Sequence, residues 1–169
     1  MANENIPLSF KIHNRAVVAL EKWPTSASLA SKDGDILFLD SAGRADDAVG
    51  IVLGVQVGSI IDAVTGELDP ATVAADDFVM VCTDPNVIME AQISTGALTD
   101  PYTTRSGAAC FDLAGNAGVQ YINAAASTND LFKVIGVGNE RNGEKSEVGD
   151  YQKVLCQFNP LVHFRGPIA

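Results

Sequence analysis

The chain has 169 residues, of which 47% are hydrophobic and 19% are charged, and its formal net charge is −10. A chain of this length can bury a core as one domain without disulfides or bound metal. The negative charge disfavours nucleic acid and anionic membrane as partners, because binding to either needs a basic face. The imbalance lies in the middle, where residues 33–100 contain thirteen acidic side chains and one basic side chain, Arg44.

The cysteines and the N-terminal sequence bear on the cellular compartment. Cys82, Cys110 and Cys156 have no close spacing, and Cys82 and Cys156 lie in apolar runs. This is typical of buried thiols in a reducing compartment rather than of a disulfide framework. The first residues lack the basic and apolar regions of a signal peptide, and no apolar run is long enough to span a bilayer. We therefore expect the protein to be made and folded in the cytoplasm.

The N-terminal segment predicts a strand, because apolar and polar residues alternate over residues 6–13. Pro7 has no N–H and therefore confines this strand to the edge of a sheet. Residues 1–22 thus form either an edge strand of the protein's own sheet or an arm that pairs with another chain. The arm alternative predicts that residues 1–14 are dispensable for folding. The candidate interface residues of the region are Ile6, Leu8, Phe10, Ile12, Arg15, Lys22 and Trp23.

Residues 23–169 predict a single β domain. Residues 34–40 predict a strand whose uninterrupted apolar run, residues 36–39, indicates burial on both faces, and an alternation follows over residues 49–57. Further strands are predicted at 78–82, 87–93, 108–113, 131–137 and 152–158. Short strands separated by turn residues are typical of an all-β sandwich or barrel, here with one part over about 28–93 and a second over about 94–166. Helix signals are few: Asp69 and Pro70 predict a short helix over 69–76, and residues 123–128 give a weaker signal.

The inventory of reactive groups is thin, and the chain has no motif of a known catalytic or phosphate-binding site. Cys156 and His163 lack the spacing of a known nucleophile pair, so we expect a buried thiol and a structural histidine. Calcium needs several oxygen ligands that converge in one loop. A strand separates the members of the acidic cluster, so turn formation explains them better; they are Asp33, Asp35, Asp40, Asp46 and Asp47. We therefore expect no catalytic residue, no cofactor and no metal.

The strand-and-turn sequences resemble those of a known family. Residues 31–44, SKDGDILFLDSAGR, followed by residues 49–55, VGIVLGV, are similar to the head decoration (cement) proteins of tailed bacteriophages. In that family a K-x-G-D strand and turn precedes a short I-V-G-V-like strand in a small β-tulip or β-sandwich. Residues 78–85, 131–137 and 153–164 are also similar to structural proteins of phage heads, so that the resemblance covers residues 28–166.

The resemblance implies a homotrimer that binds the major capsid protein on the outer surface of the shell. It also implies a location in the virion and synthesis in the cytoplasm of a host bacterium. An anionic protein suits the outer face, away from packaged DNA, and Arg15, Lys22 and Lys32 make the N-terminal third the cationic end. The weakly charged, Ala- and Gly-rich residues 101–137 suit close packing between subunits.

A second class of function stays open from the sequence. A receptor- or glycan-binding β-sandwich of a phage tail or cell surface would present aromatic side chains with Asn and Asp around a concave patch. The aromatic residues available for such a patch are Trp23, Tyr102, Tyr121 and Tyr151.

Overall fold

A computed structural model describes residues 8–13, 19–94, 110–123, 129–139, 143–147 and 149–165. Over these residues the chain is all-β, as predicted, and it contains two antiparallel sheets. Within the same ranges no helix has the length and apolar composition needed to cross a membrane.

The first sheet has six strands, and the second sheet has five. The order in the first sheet is β1 (Lys11–Ile12), β7 (Met89–Gln92), β11 (Lys153–Phe158), β10 (Phe132–Val137), β8 (Cys110–Ala114) and β9 (Tyr121–Asn123). The order in the second sheet is β2 (Leu20–Pro24), β6 (Phe78–Cys82), β5 (Ile51–Ile61), β3 (Ile36–Leu39) and β4 (Ala45–Asp46). All neighbouring strands are antiparallel. The sheets do not close into a barrel, so that of the two predicted architectures the sandwich is the consistent one.

The expected helix over 69–76 does not form. Asp69 adopts a left-handed backbone conformation, with φ at 48°, and its carboxylate accepts the Ile60 N–H at 3.1 Å instead of capping a helix. The Val73 carbonyl accepts the Ser28 N–H at 2.9 Å, so this segment bonds to its neighbours rather than to itself. In the weaker helix candidate, residues 123–128, Asn123 ends β9 and residues 124–128 lie outside the described residues.

Two apolar cores lie on opposite faces of the second sheet. The first core, between the sheets, contains Ile36 and Phe38 of β3 together with Phe132 and Phe158 of the first sheet. The second core lies on the other face, where Leu37 of β3 meets residues from β4, β5 and β6. Its buried members are Leu29, Leu37, Ala45, Leu53, Ile60, Val79 and Val81. The apolar run of β3 is therefore buried on both faces, as its sequence predicts.

A bulge lets β5 serve both cores. Leu37 lies opposite Gly54, and Phe38 lies opposite Val52, so that Leu53 has no residue opposite it in β3. The other side of β5 approaches β6 so closely that a Cβ atom at position 54 would lie 2.1 Å from the Cys82 carbonyl oxygen. Only glycine fits at this position, because the obstructing atom belongs to the backbone of the neighbouring strand.

Each sheet curls until strands far apart in its order meet. An isolated parallel bridge between Thr25 and Ala45 joins the end of β2 to β4 in the second sheet. A second one, between Ile93 and Ile122, joins the end of β7 to β9 in the first sheet. These contacts cover backbone groups at the sheet edges without forming a continuous ladder.

The described part of the N-terminal segment is an edge strand of the protein's own first sheet. Lys11 and Ile12 pair with Glu90 and Met89 of β7. Phe10 is only 2% exposed, and its ring stacks on that of Phe132 with 4.8 Å between the centroids. Residues 8–13 therefore match the edge-strand alternative, and whether residues 1–14 are dispensable for folding stays a prediction.

A buried polar network holds this edge strand to the second half of the chain. The fully buried Asp35 carboxylate accepts bonds from the Ser9 hydroxyl at 2.6 Å, the Lys32 N–H at 2.8 Å and the Gly118 N–H at 2.8 Å. Ser9 in turn accepts the Gln120 N–H at 3.1 Å, and the Gln120 side chain accepts the Ile36 N–H at 2.6 Å. Three stretches far apart in sequence thus meet at one carboxylate.

Replacement of Gly54 by alanine tests the close approach of β5 and β6. We expect Gly54→Ala to lower the free energy of unfolding by about 3 kcal/mol, the upper part of the range for overpacking, because backbone must move. Gly50→Ala is the matched control, since its nearest contact would be 3.6 Å away on an exposed part of the chain. We expect it to change stability by less than about 0.5 kcal/mol in urea denaturation. Equal effects of the two substitutions would contradict this account.

Truncation of Phe10 tests whether the N-terminal strand belongs to the fold. Phe10→Ala removes a ring from the first core, so we expect it to cost about 3–5 kcal/mol of stability. Leu8→Ala, two residues earlier at a side chain that is 67% exposed, should cost less than about 0.5 kcal/mol. Thermal unfolding of both variants gives the comparison, and a thermal midpoint for Phe10→Ala close to that of the unmodified protein would restore the arm interpretation.

Candidate functional site

One face of the second sheet is only partly covered by the first sheet. Cys82 of β6 pairs with Val55 of β5, and both are buried in the first core. Residues opposite each other in an antiparallel pair point to the same face, and so do alternate residues along a strand. Further along, Met80 and Phe78 lie on this same face but are only half-buried. We call this uncovered end the docking face, and its residues are Leu20, Lys22, Pro24, Val57, Ile61, Phe78 and Met80.

A groove continues the docking face toward the N-terminal strand. It has a volume of about 650 Å³ and runs between β1, the start of β2 and the second half of β5. Leu8, Ile12, Leu20 and Val57 give it an apolar lining. Leu20 is 47% exposed although its position opposite Cys82 places it on the face that forms the first core. Apolar surface of this kind, joined to a groove, is typical of a protein interaction site.

Lysines border this surface in a chain whose net charge is −10. The Lys22 ammonium lies 3.5 Å from the centroid of the Phe78 ring, where the electron-rich face of the ring favours a cation. Lys11 lines the groove, and Asp33 is the acidic residue in the lining. The Asp33 carboxylate accepts the Gly58 N–H at 2.7 Å and so is engaged within the fold. The charge of the surface complements that of an acidic partner.

The structure distributes the predicted interface residues over different environments. Leu8 and Ile12 line the groove, and Lys22 lies on the docking face. Phe10 is a core residue that is only 2% exposed, although it also borders the groove. Trp23 packs against the second core, edge-on to Phe164 at 5.5 Å between the centroids. Ile6 and Arg15 lie outside the described residues.

The sequence interpretation missed the part of the docking face that β5 and β6 provide. It ended the strand at Val57, whereas β5 continues to Ile61 beyond an irregularity in the pairing with β6. The detectable signal was in β6, whose residues are apolar at every position. Phe78 and Met80 cannot lie in the second core when Val79 and Val81 do, so these two residues must face the other side.

In the acidic cluster, Asp40 has the turn-forming role that the sequence favoured, whereas Asp46 and Asp47 bond to residues 20 and 17 positions earlier in the chain. Asp40 accepts the N–H groups of Ala42 and Arg44, each at 2.8 Å, and so closes the turn after β3. Asp46 accepts the Ser26 hydroxyl at 3.1 Å and Asp47 accepts the Ala30 N–H at 3.4 Å. Within the described ranges no three His, Cys, Asp or Glu side chains come together in a group that would hold a metal ion.

Cys156 and His163 have the environments of core residues. Burial raises the pKa of the Cys156 thiol far above its usual value, so that the thiol stays protonated. Burial also lowers the pKa of His163 to about 4, and the nearby positive charge of Arg165 acts in the same direction. The His163 ring lies between Phe158 and Phe164, with centroid distances of 5.3 and 5.0 Å. These properties are unsuited to a nucleophile and its base, which require a thiolate or an available proton acceptor.

Of the aromatic residues proposed for a glycan site, the three that the structure describes do not line the groove. Trp23 is engaged with Phe164, while Tyr121 and Tyr151 are half-buried in and near the first sheet. Tyr102 lies outside the described residues. The described aromatic side chains therefore give the glycan-binding alternative less support than the docking face gives to protein binding.

Comparison with known proteins does not assign a function to this chain. A scan of protein-family models and searches of curated proteins and of solved structures give no match to this chain. The apolar docking face with its lysines favours contact with another protein.

The buried histidine predicts a pH dependence of stability. His163 has a folded-state pKa of about 4, below its usual value of 6.5, so the unfolded state binds the proton more readily between these values. Its contribution to stability is complete above pH 6.5 and is lost as the pH falls toward 4. We expect the free energy of unfolding to decrease by about 2 kcal/mol between pH 7 and pH 5. Urea denaturation of His163→Phe should show a flatter dependence over this interval, and an unchanged slope would contradict the assignment.

Proposed function

We propose that this protein is a structural protein that binds the outer surface of a tailed-bacteriophage capsid as a decoration (cement) protein. The observation that carries the proposal is the docking face, an uncovered apolar sheet surface that continues into a groove and is bordered by Lys11 and Lys22. Such a surface suits lasting contact with a protein lattice that presents acidic and apolar groups. The resemblance of residues 28–166 to cement proteins supplies the identity of the lattice, the major capsid protein.

The distribution of charge supports attachment on the outside of the shell. Thirteen acidic residues between positions 33 and 100 would be repelled by packaged DNA. The cations of the docking face point the protein toward its partner, while most of the remaining surface keeps it soluble. The proposal thus places the protein in the virion, after synthesis in the host cytoplasm.

A second exposed apolar edge supports the homotrimer that the resemblance implies. Val52 accepts the Phe164 N–H at 2.9 Å and donates to the Val162 carbonyl at 3.0 Å, so Ile51 and Leu161 follow the same edge of β5. Ile51 is 57% exposed and Leu161 is 80% exposed. In the proposed assembly this edge contacts a neighbouring subunit and the docking face contacts the capsid.

A charge placed on the docking face tests the capsid contact. We expect Leu20→Glu to weaken co-sedimentation with capsids that lack this protein at least tenfold, equivalent to about 1.4 kcal/mol, because it buries an acidic group against an acidic lattice. The capsids are those of the phage whose genome encodes the chain. Val64→Glu is the control, since Val64 is 94% exposed in a turn away from the groove.

The location of the unmodified protein in the virion tests the proposal directly. Electron microscopy of virions should show it on the outer shell at a fixed position of the lattice. Fractionation of virions that places it with tails, or clear binding on a glycan array without capsid binding, would favour the receptor-binding alternative.

A further inference from the structure

The edge of β2 that faces away from β6 has unpaired backbone groups. The Thr25 N–H donates to the Asp77 carbonyl at 2.8 Å and the Thr83 N–H donates to the Ala19 carbonyl at 3.2 Å. In an antiparallel pair the hydrogen-bonded residues alternate, so the odd-numbered residues of β2 bond to β6. The even-numbered residues, Leu20 and Lys22, direct their N–H and C=O groups outward. In the part of the chain that the structure describes, these groups have no partner.

The unpaired stretch is short and has definite ends. Pro24 has no N–H to offer, and Thr25 continues into the bridge with Ala45. Two residues of β2 are thus open to pairing, a length that resists indiscriminate association of sheet edges.

A second unpaired edge borders the same groove. The His13 N–H donates to the Ile88 carbonyl at 2.7 Å, so Lys11 and His13 bond to β7 and Ile12 faces the other way. Ile12 and Leu20 both line the groove. The groove therefore combines an apolar floor with outward-facing backbone groups from one edge strand of each sheet.

We infer that the free edge of β2, next to the groove, binds an extended segment of the partner protein as an added strand. The inference rests on the proposed function and specifies how the docking face would be used. Main-chain bonds to Leu20 and Lys22 would give affinity. Leu20 and Lys22 point to the same face, so that an apolar side chain of the added segment would pack beside Leu20 and an acidic side chain two residues away would pair with Lys22.

A second copy of the chain fits this edge less well. Two β2 strands related by a two-fold axis would place the two Lys22 side chains directly opposite or diagonal to each other. Like charges in these positions destabilise a strand pair. The occupant that the charges favour is a segment of a different protein that carries apolar and acidic side chains on the same face.

Proline at an outward position separates strand addition from other modes of binding. Lys22→Pro removes an N–H that makes no bond to β6, and Lys22→Gln keeps that N–H while it removes the same charge. The probe is a capped seven-residue peptide with valine and glutamate taking turns at positions 1, 3, 5 and 7 and threonine at the positions between them, so that valine and glutamate share the face of Leu20 and Lys22. We expect millimolar peptide to slow amide hydrogen exchange at Leu20 and Lys22 at least tenfold. We expect Lys22→Pro to weaken peptide binding at least tenfold and Lys22→Gln to weaken it no more than about threefold.

The controls keep the test decisive. Thermal unfolding of Lys22→Pro reports whether the fold is intact, and Leu20→Pro, at the first position of the strand, replaces it if the fold is lost. Equal binding by the proline and glutamine variants, or absence of protection at Leu20 and Lys22, would overturn strand addition. If the peptide protects Leu20 and Lys22 but the protein does not bind capsids, strand addition stands and the capsid proposal is overturned. If the protein binds capsids and Lys22→Pro binds them equally well, the capsid proposal stands and strand addition is overturned.

Discussion

The fold depends on a sheet that is buried on both faces. β3 and the first half of β5 separate two apolar cores, and each of these strands sends neighbouring residues to opposite sides. A strand in this position cannot follow the usual alternation of apolar and polar residues, which explains the continuous apolar run over residues 36–39. The spacing between β5 and β6 also has little freedom, because a Cβ atom at Gly54 would collide with the backbone of β6. The position of the docking face follows from this constraint, since the same sheet that the first sheet covers at one end extends beyond it at the other.

The acidic composition has a structural role as well as an electrostatic one. Many of the aspartates accept backbone N–H groups in turns, as Asp62 does from Val64 and Thr65, each at 2.7 Å. These bonds lower the pKa of the Asp62 carboxyl, because they favour its charged form. Asp35 extends the principle into the interior, where donors from three parts of the chain replace its water. A protein with few helices and many turns uses short carboxylate side chains in place of repeated backbone bonding, and its negative charge is in part a consequence of that design.

The local sequence pattern predicted most of the strands but did not indicate which strands pair. The strand at 78–82 was found to the residue and the strand at 36–39 lies within the predicted 34–40, because apolar β-rich runs between turn residues are a local signal. The role of residues 8–13 was not decidable, since Phe10 owes its burial to Phe132, a residue more than a hundred positions away. The helix over 69–76 was wrong because a tertiary bond to Ile60 replaced the cap that Asp69 would have supplied. The docking face was not predicted, for a related reason. The sequence of β6 does not indicate how much of this strand the first sheet covers.

The sheet edges explain where apolar side chains and unpaired backbone groups are exposed. Open edges are the usual sites of unwanted association, and this fold covers several of its own. The Ala45 carbonyl of β4 accepts the Ser26 N–H at 2.8 Å, and the Ile122 carbonyl of β9 accepts the Ser94 N–H at 2.9 Å. Backbone groups that stay open at β1 and β2 border the apolar groove and the lysines. A partner that offers only a strand gains few bonds from so short an edge, and one that offers only an apolar surface leaves the lysines unpaired. In the proposed complex, selectivity would arise because main-chain pairing, apolar contact and opposite charge are required together, although each alone is weak.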